Sequence, residues 1–304
     1  MNKDRPSIGL VVVNYLNYPD TINYVQKYLL GQREIDLEIA VIDNASPNES
    51  FKVLKDTFVG YDSIKILRNH SNNGYAAGNN IGIRYLEQKK CDYILISNSD
   101  IEIDDNFLLI KMVRIYNTLE SAAFISPVMI INKNISREFS AWKLPVKLKE
   151  VLSSTFLVKI LTQPYHNRFL YKIPAGKDKY LKVDCLAGSF FMGATEIFRR
   201  INYLDENTFL YYEETILGLK IKQINLYNYL IGDLEYKHLH AQTMKMVYSP
   251  YRKYKMLLDS KLYYWKTYHK AGNLFIVTMK FLFLILAAEL FLISLFNKTE
   301  TGNK

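Results

Sequence analysis

Four short apolar runs in the first hundred residues each stop at a polar cluster. Residues 8–15 are apolar almost up to Asn14, and residues 37–42 run into Asp43-Asn44. Residues 64–67 end at Arg68, and residues 93–96 run into Ser97-Asn98-Ser99-Asp100. Runs of this length without polar alternation read as strands buried on both faces. Between and after them, residues 18–30, 49–58, 75–88 and 105–119 carry helical spacing. Ser46 and Asn48 are candidate caps for the second helix, and the Asn72-Asn73-Gly74 turn enters the third. This alternation predicts an α/β fold with a Rossmann-like, mostly parallel central sheet flanked by helices. Open sheets of that kind bind ligands at the carboxyl ends of their strands, where Asp43 and Asp100 both fall.

From residue 132 to 182 the alternation breaks. Eleven Lys/Arg face three acids there, together with Trp142 and several prolines. The segment reads either as a solvated insertion or as a surface for an anionic partner. No nucleic-acid module accompanies the charge, so nucleic acid is not the expected partner. Residues 183–197 return to core-like sequence, interrupted by the tight polar break Gly188-Ser189. Residues 209–212 then lead into the acidic pair Glu213-Glu214. Residues 226–232 and 234–239 read as two further short strands. His238 and His240, two apart, would share one strand face. The natural divisions are 1–130, 131–250 and a tail, 251–304.

The net charge of +9 is concentrated near that tail, where residues 252–270 hold six Lys/Arg against one acid. Residues 274–296 follow, apolar except for Lys280, Glu289 and a few small polar residues. The stretch is long enough to span a bilayer, yet two charges are costly at mid-membrane. The two charges fall on opposite sides of a helix, which does not make a simple amphipathic stripe. A basic segment beside an apolar one suits the anionic cytoplasmic leaflet. We therefore expect a membrane-associating helical tail, with crossing and lying in the interface both open. The first apolar run is too short for a secretion signal, and Cys91 and Cys185 lack any C-x-x-C spacing. These features place the chain at the cytoplasmic face of a membrane. The aromatic-rich tail also offers area for a homodimer interface.

Several residue types point to chemistry. Asp43 at a strand end can accept a hydrogen bond from the N–H of a uracil or thymine ring, although Asp-Asn-Ala-Ser-Pro is also good turn sequence. Asp100 is followed by Glu102, Asp104 and Asp105. Carboxylates at a strand end can hold Mg²⁺ or Mn²⁺ while substrate phosphates complete the shell. An acidic helix start would account for Asp104 and Asp105 but not for Asp100. An imidazole such as His238 suits Mn²⁺ and can complete a carboxylate site. Adjacent carboxylates beside apolar surface, as at Glu213-Glu214, have raised pKa values suited to a general base, or else simply open a helix. No G-x-G-x-x-G follows the first strand, and no phosphate-loop or G-x-S-x-G sequence occurs, which argues against dinucleotide oxidoreductases, P-loop NTPases and α/β-hydrolases.

Taken in order, seven segments resemble the inverting glycosyltransferases of family 2, in their rhamnosyltransferase-like branch. They are VVVNY (11–15), VIDNAS (41–46), RNHSNNGYAAGNN (68–80), ISNSD (96–100), LAGSFFM (186–192), FLYYEE (209–214) and HLHAQT (238–243). The resemblance implies a GT-A fold, a nucleotide-diphosphate sugar donor (dTDP- or UDP-linked) and a Mn²⁺ or Mg²⁺ cofactor. It implies that Asn14, Asp43, Asn73, Gly74, Asn79 and Asn98 lie along the nucleotide, and Gly188 and Ser189 beside the sugar. Asp100 matches the family's metal aspartate, and His238 matches its metal histidine better than His240 does. The family's Glu-Asp dyad maps onto Glu213 and Glu214, with the base at Glu214. The reading that follows is transfer of one sugar to a growing surface glycan, and a polyprenyl-diphosphate-linked acceptor, anionic and membrane-bound, would account for both the basic segment and the tail. One departure stands out: the family's Glu-Asp-Val-Asp-Leu reads Glu-Glu-Thr-Ile-Leu here. A second reading therefore keeps the fold and loses turnover, as a nucleotide-sugar-binding scaffold. A nucleotidyltransferase would want a Gly-rich, Arg-containing loop after the first strand, and Asn14-Tyr15-Leu16-Asn17 is not one.

Overall fold

A computed structural model describes residues 5–171, 180–239 and 248–301, with the backbone alone for Arg137, Glu138 and 295–301. The chain opens with β1 (Ser7–Asn14), α1 (Tyr18–Tyr24, prolonged by a π turn over Val25–Leu29) and β2 (Asp36–Asp43). Next come α2 (Ser50–Thr57), β3 (Ile64–Arg68), α3 (Tyr75–Gln88) and β4 (Tyr93–Ser97). The four strands lie parallel in the order β3-β2-β1-β4. Leu10 and Val12 pack on one face of the sheet, and Val11, Ala40 and Ile42 on the other. Successive side chains of a strand point to opposite faces, so two covered faces explain the unbroken apolar runs. The proposed caps work differently from expectation. Asn48 Oδ1 accepts from the Ser50 N–H, whereas Ser46 Oγ accepts from the Leu16 N–H and so ties two loops together.

A short strand, β5 (Ile101–Glu102), and α4 (Leu108–Tyr116) follow. The helix is shorter than the predicted 105–119 because Asp105 Oδ1 takes the Phe107 N–H in a turn of its own. Beyond β6 (Ala122–Ile131) the basic segment is structured. It forms a hairpin strand β7 (Asn134–Ile135), α5 (Arg137–Ser140), β8 (Ala141–Trp142), α6 (Lys147–Leu152), α7 (Phe156–Leu161) and α8 (Gln163–His166). After it come β9 (Tyr180–Val183), β10 (Cys185–Leu186), β11 (Phe190–Ala194), α9 (Thr195–Arg200), α10 (Glu213–Gln223) and β12 (Tyr227–His238). The two short strands predicted over 226–239 are this single strand, whose register against β6 shifts between Ile231 and Glu235. The sheet runs β3-β2-β1-β4-β11-β6-β12-β5, antiparallel where β11 enters and where β5 closes the edge. It is a mixed sheet whose first four strands are parallel.

The tail forms α11 (Pro250–His269) and α12 (Asn273–Thr301). Tyr264 and Trp265 of α11 bury against Ile216 of α10, while Leu258 buries with Met279, Phe283 and Leu286 of α12. Over 273–294, α12 is long and apolar enough to cross a membrane.

Candidate active site

The last strand of the sheet decides the first pairing. β5 adds antiparallel to the end of β12, with Ile101 opposite His238 and Glu102 opposite Lys237. The Leu239 N–H donates to the Asp100 carbonyl at 3.0 Å. That register places Asp100 Oδ1 3.2 Å from His238 Nε2, although the residues lie far apart in sequence. A hard carboxylate oxygen beside an imidazole nitrogen fits a divalent cation such as Mn²⁺ or Mg²⁺. Among the described residues, no cluster of three or more His, Cys, Asp or Glu side chains is poised to hold a metal. Two protein ligands suit an ion whose remaining positions are filled by substrate oxygens and water. His240 lies outside the described residues.

The second pairing depends on a strained turn. Tyr211 and Tyr212 both adopt left-handed backbone, with φ of 72° and 73°, immediately before α10. Bulky residues seldom occupy that region, and the surroundings must hold them there. The Tyr212 hydroxyl donates to Glu150, whose other oxygen lies 2.9 Å from Lys261 Nζ, and the Tyr212 ring meets Tyr264 edge-on. Upstream, Gly74 (φ 98°) is pressed onto the same segment. A Cβ there would come within 2.1 Å of the Phe209 carbonyl oxygen. The turn delivers Glu213 and Glu214 into the first turn of α10, where the helix dipole favours acids.

The two carboxylates then diverge. Glu214 Oε1 accepts from the Gly188 N–H at 3.3 Å, and a Cβ on Gly188 would lie 2.6 Å from that oxygen. The open space at Gly188 is therefore filled by the Glu214 carboxylate. Burial raises the Glu214 pKa, while N–H donors from Gly188 and its own backbone pull it partly back. Burial, and then the neighbouring Glu214 charge, push Glu213 well above the ordinary range. Glu213 Oε1 is buried with no hydrogen-bond partner. The Gly188 N–H thus favours the ionised form at Glu214, and burial beside that carboxylate disfavours a second charge at Glu213.

Both pairs open onto one cavity of about 430 Å³ at the carboxyl ends of the parallel strands. Gly74, Asn98, Gly188 and Ser189 line it with Asp100, His238, Glu213 and Glu214. Asn98 is fixed by its N–H, which donates to the Ser189 carbonyl at 2.9 Å, and Ser189 Oγ lies 2.8 Å from the Tyr236 hydroxyl. The other four predicted residues do not line the cavity. Asp43 is fully buried, accepting from Asn14 Nδ2 at 3.1 Å and the Ser46 N–H at 3.2 Å. Asn14 is buried with it. Asn79 faces into the fold, bonding the Tyr75 carbonyl, and Asn72 rather than Asn73 reaches the cavity. The turn chemistry of Asp-Asn-Ala-Ser-Pro thus uses the Asp43 carboxylate internally.

Sequence reasoning missed other parts of the wall. Asn44 lines the cavity and donates to Asn72 Oδ1 at 2.9 Å and the Gly74 carbonyl at 3.2 Å. Its position directly after Asp43, at a strand end, was the available signal. Tyr75 also lines the cavity, its hydroxyl donating to the Gly188 carbonyl at 2.5 Å. Phe139 and Trp142 line it from the basic segment, which no spacing rule could have connected to the site.

The mixed sheet, its flanking helices and the cavity at the strand ends define a GT-A fold. The chain belongs to glycosyl transferase family 2, whose sequence model matches residues 10–201. The matched segment ends before Glu213 and His238. The chain is 28% identical over 223 residues to the low-salt glycan biosynthesis hexosyltransferase Agl10 of Haloferax volcanii, covering 72% of this chain and 62% of the relative. It is 24% identical over 255 residues to the dTDP-rhamnosyl transferase RfbF of Shigella flexneri, covering 82% of this chain and 76% of that one. The chain thus spans under two-thirds of the hexosyltransferase's length. Among solved structures, the mannosyltransferase PcManGT of Pyrobaculum calidifontis, in complex with GDP-Man and Mn²⁺, superposes with a TM-score of 0.55 at 12% identity, covering 94% of this chain and 76% of that one. GalNAc-T7 with UDP, GalNAc and Mn²⁺ superposes at 0.57 and 17% identity, over 88% and 51%. At such identities the likeness is one of fold.

Proposed function

We propose that this family 2 glycosyltransferase works by inversion, moving one sugar from a nucleotide-diphosphate donor to a hydroxyl of a glycan acceptor. The observation that carries the reading is the Glu214 carboxylate, held by the Gly188 N–H on the wall of the cavity where Asp100 meets His238. Glu214 takes the proton of the acceptor hydroxyl as its oxygen bonds to the anomeric carbon, and the bond from that carbon to the diphosphate oxygen breaks. Burial of Glu213 beside Glu214 disfavours a second negative charge next to the base. Asp100 and His238 would hold a divalent cation, which supplies positive charge for the leaving diphosphate when bound. Asn44, Asn72, Gly74 and Asn98 form the nucleotide side of the cavity. Asp43 and Asn14 act beneath it, by fixing the loop that carries Asn44 and Ser46.

The donor is a dTDP- or UDP-sugar, a reading supported by the dTDP-rhamnosyl transferase among the relatives. The acceptor is a polyprenyl-diphosphate-linked glycan at the cytoplasmic face of the membrane, in keeping with the basic segment and apolar tail. Residues 1–130 serve the donor and 131–250 the acceptor.

Calorimetric titration of UDP, dTDP and GDP, each with and without Mn²⁺, tests the site. One nucleotide should bind the wild type tightly only with Mn²⁺. Asp100→Ala should weaken it by more than the ~10–100-fold that loss of an outer-shell partner costs. Absence of binding to any nucleotide by folded protein would remove the reading and favour the scaffold.

A further inference from the structure

The charges within α12 are arranged in a way that a free membrane span does not require. Met279, Phe283 and Leu286 recur at helical spacing and are buried against Leu258 of α11. α12 is also held by α6 and by the turn that leads from it to α7. Lys147 Nζ lies 5.7 Å from the Phe275 ring centroid, and Ser154 Oγ lies 3.7 Å from Met279 Sδ. Farther along, the Glu289 carboxylate accepts from the Phe156 N–H at 2.8 Å and the Leu157 N–H at 3.4 Å. Glu289 thus ties the middle of α12 to the start of α7. Residues 275–289 are thus held along one side by α6, α11 and the start of α7.

The rest of α12 is open and apolar, with Leu274, Val277, Phe281 and Leu284 exposed. Beside it, α7 leaves Leu157, Ile160 and Leu161 63%, 71% and 72% exposed. Large apolar side chains gathered in that way mark an interaction surface. Lys147, Lys159 and Lys280 of the same segments are exposed as well. Apolar side chains set among lysines are complementary to an anionic bilayer, with acyl chains below and phosphates at the rim.

We propose that residues 139–161 and α12 together form a monotopic lipid-seated face, with α12 lying in the plane of an anionic bilayer. It deepens the membrane reading above and rests on that reading for its biological setting alone. The segment that supplies α7 also supplies Phe139 and Trp142 to the wall of the cavity. Seating it on lipid brings the mouth of the cavity to the bilayer surface, where a lipid-linked acceptor is presented without leaving the membrane.

The test is flotation of the full chain with phosphatidylcholine vesicles and with vesicles containing phosphatidylglycerol, without donor or acceptor. Wild type should float with the anionic vesicles, and the triple variant Leu157→Glu, Ile160→Glu, Leu161→Glu should lose binding by about tenfold or more. These side chains are exposed, and retained nucleotide binding by the variant checks that it is folded. A cysteine appended after Lys304 reads the topology, because Cys91 and Cys185 are buried. With protein added to sealed vesicles, an impermeant maleimide should label that cysteine from outside. Wild-type levels of flotation by the triple variant, or a cysteine protected until the vesicles are opened, would overturn the proposal. So would a dimer that ignores vesicles, since a second copy would then cover the face. If flotation fails while nucleotide binds, the seating is wrong and the transferase reading stands. The reverse result separates them the other way.

Discussion

Glu213 and Glu214 are adjacent in the chain and meet different surroundings. The Gly188 N–H favours the ionised form of Glu214, whereas Glu213 has an unpartnered buried oxygen and a carboxylate neighbour. Their roles should separate accordingly. Glu214→Gln should lower kcat by about 10²–10⁴-fold, the usual range for a positioned general base. Glu213→Gln, which mimics the protonated form, should retain activity within about tenfold of wild type on the same scale. A base must be ionised to act, and burial raises the Glu214 pKa. Activity should therefore be lost as pH falls through a value above the ordinary Glu range of about 4.3. Because burial already disfavours a charge on Glu213, Glu213→Gln should leave that acid limb in place. Steady-state kinetics across pH on both variants checks this, and a limb that moves strongly in Glu213→Gln would reverse the assignment. The residue types at this site were legible in sequence. Which carboxylate ionises was not, because that depends on the backbone of Gly188 arriving beside only one of them.

At the scale of elements, the site is assembled where strands and helices end. The β5–β12 register brings Asp100 to His238, and the left-handed turn at Tyr211-Tyr212 aims the start of α10. That turn is braced by Glu150 of α6, which is nearly inaccessible and holds both Tyr212 and Lys261 of α11. Removing one partner of a buried ion pair leaves the other charge uncompensated. Glu150→Ala should therefore cost about 3–5 kcal/mol of stability. It should also lower kcat more than it weakens nucleotide binding, because Tyr212 directly precedes the dyad. Denaturant unfolding and kinetics on the one variant test both outcomes. Nucleotide binding lost as fully as turnover would show a merely structural brace. The strands of the first hundred residues, and α3 to the residue, followed from apolar runs and the Asn-Gly turn. The single long β12 did not, since Gly232-Asp233 looks like a break and is accommodated as a register shift.

Across the whole molecule, positive charge and exposed large apolar side chains gather in the basic segment and the tail. A chain of net charge +9 should associate with anionic vesicles in a salt-dependent way. Exposed lysines are screened as the Debye length shrinks from about 8 Å at physiological salt to about 3 Å at 1 M. Flotation with phosphatidylglycerol vesicles should fall several-fold over that range, and any residual binding should be the apolar part that α12 contributes. Binding indifferent to salt would show that the lysines are spectators.

Local patterning determined the α/β class, the strand ends that carry the chemistry, the Asn-Gly turn, the acidic pair and the apolar tail. Each follows from the covalent neighbours of a residue and the period of its element. Tertiary structure alone decided the rest. It turned Asp43 inward onto Asn14 and Ser46, put Asn44 on the cavity wall, and joined Asp100 to His238 across the sheet edge. It also folded Trp142 and Phe139 into the site and committed Glu289 to the start of α7. Those outcomes depend on which distant backbone groups arrive beside a side chain, and hydrogen bonds and close packing act only over a few ångströms in space, whatever the separation in sequence.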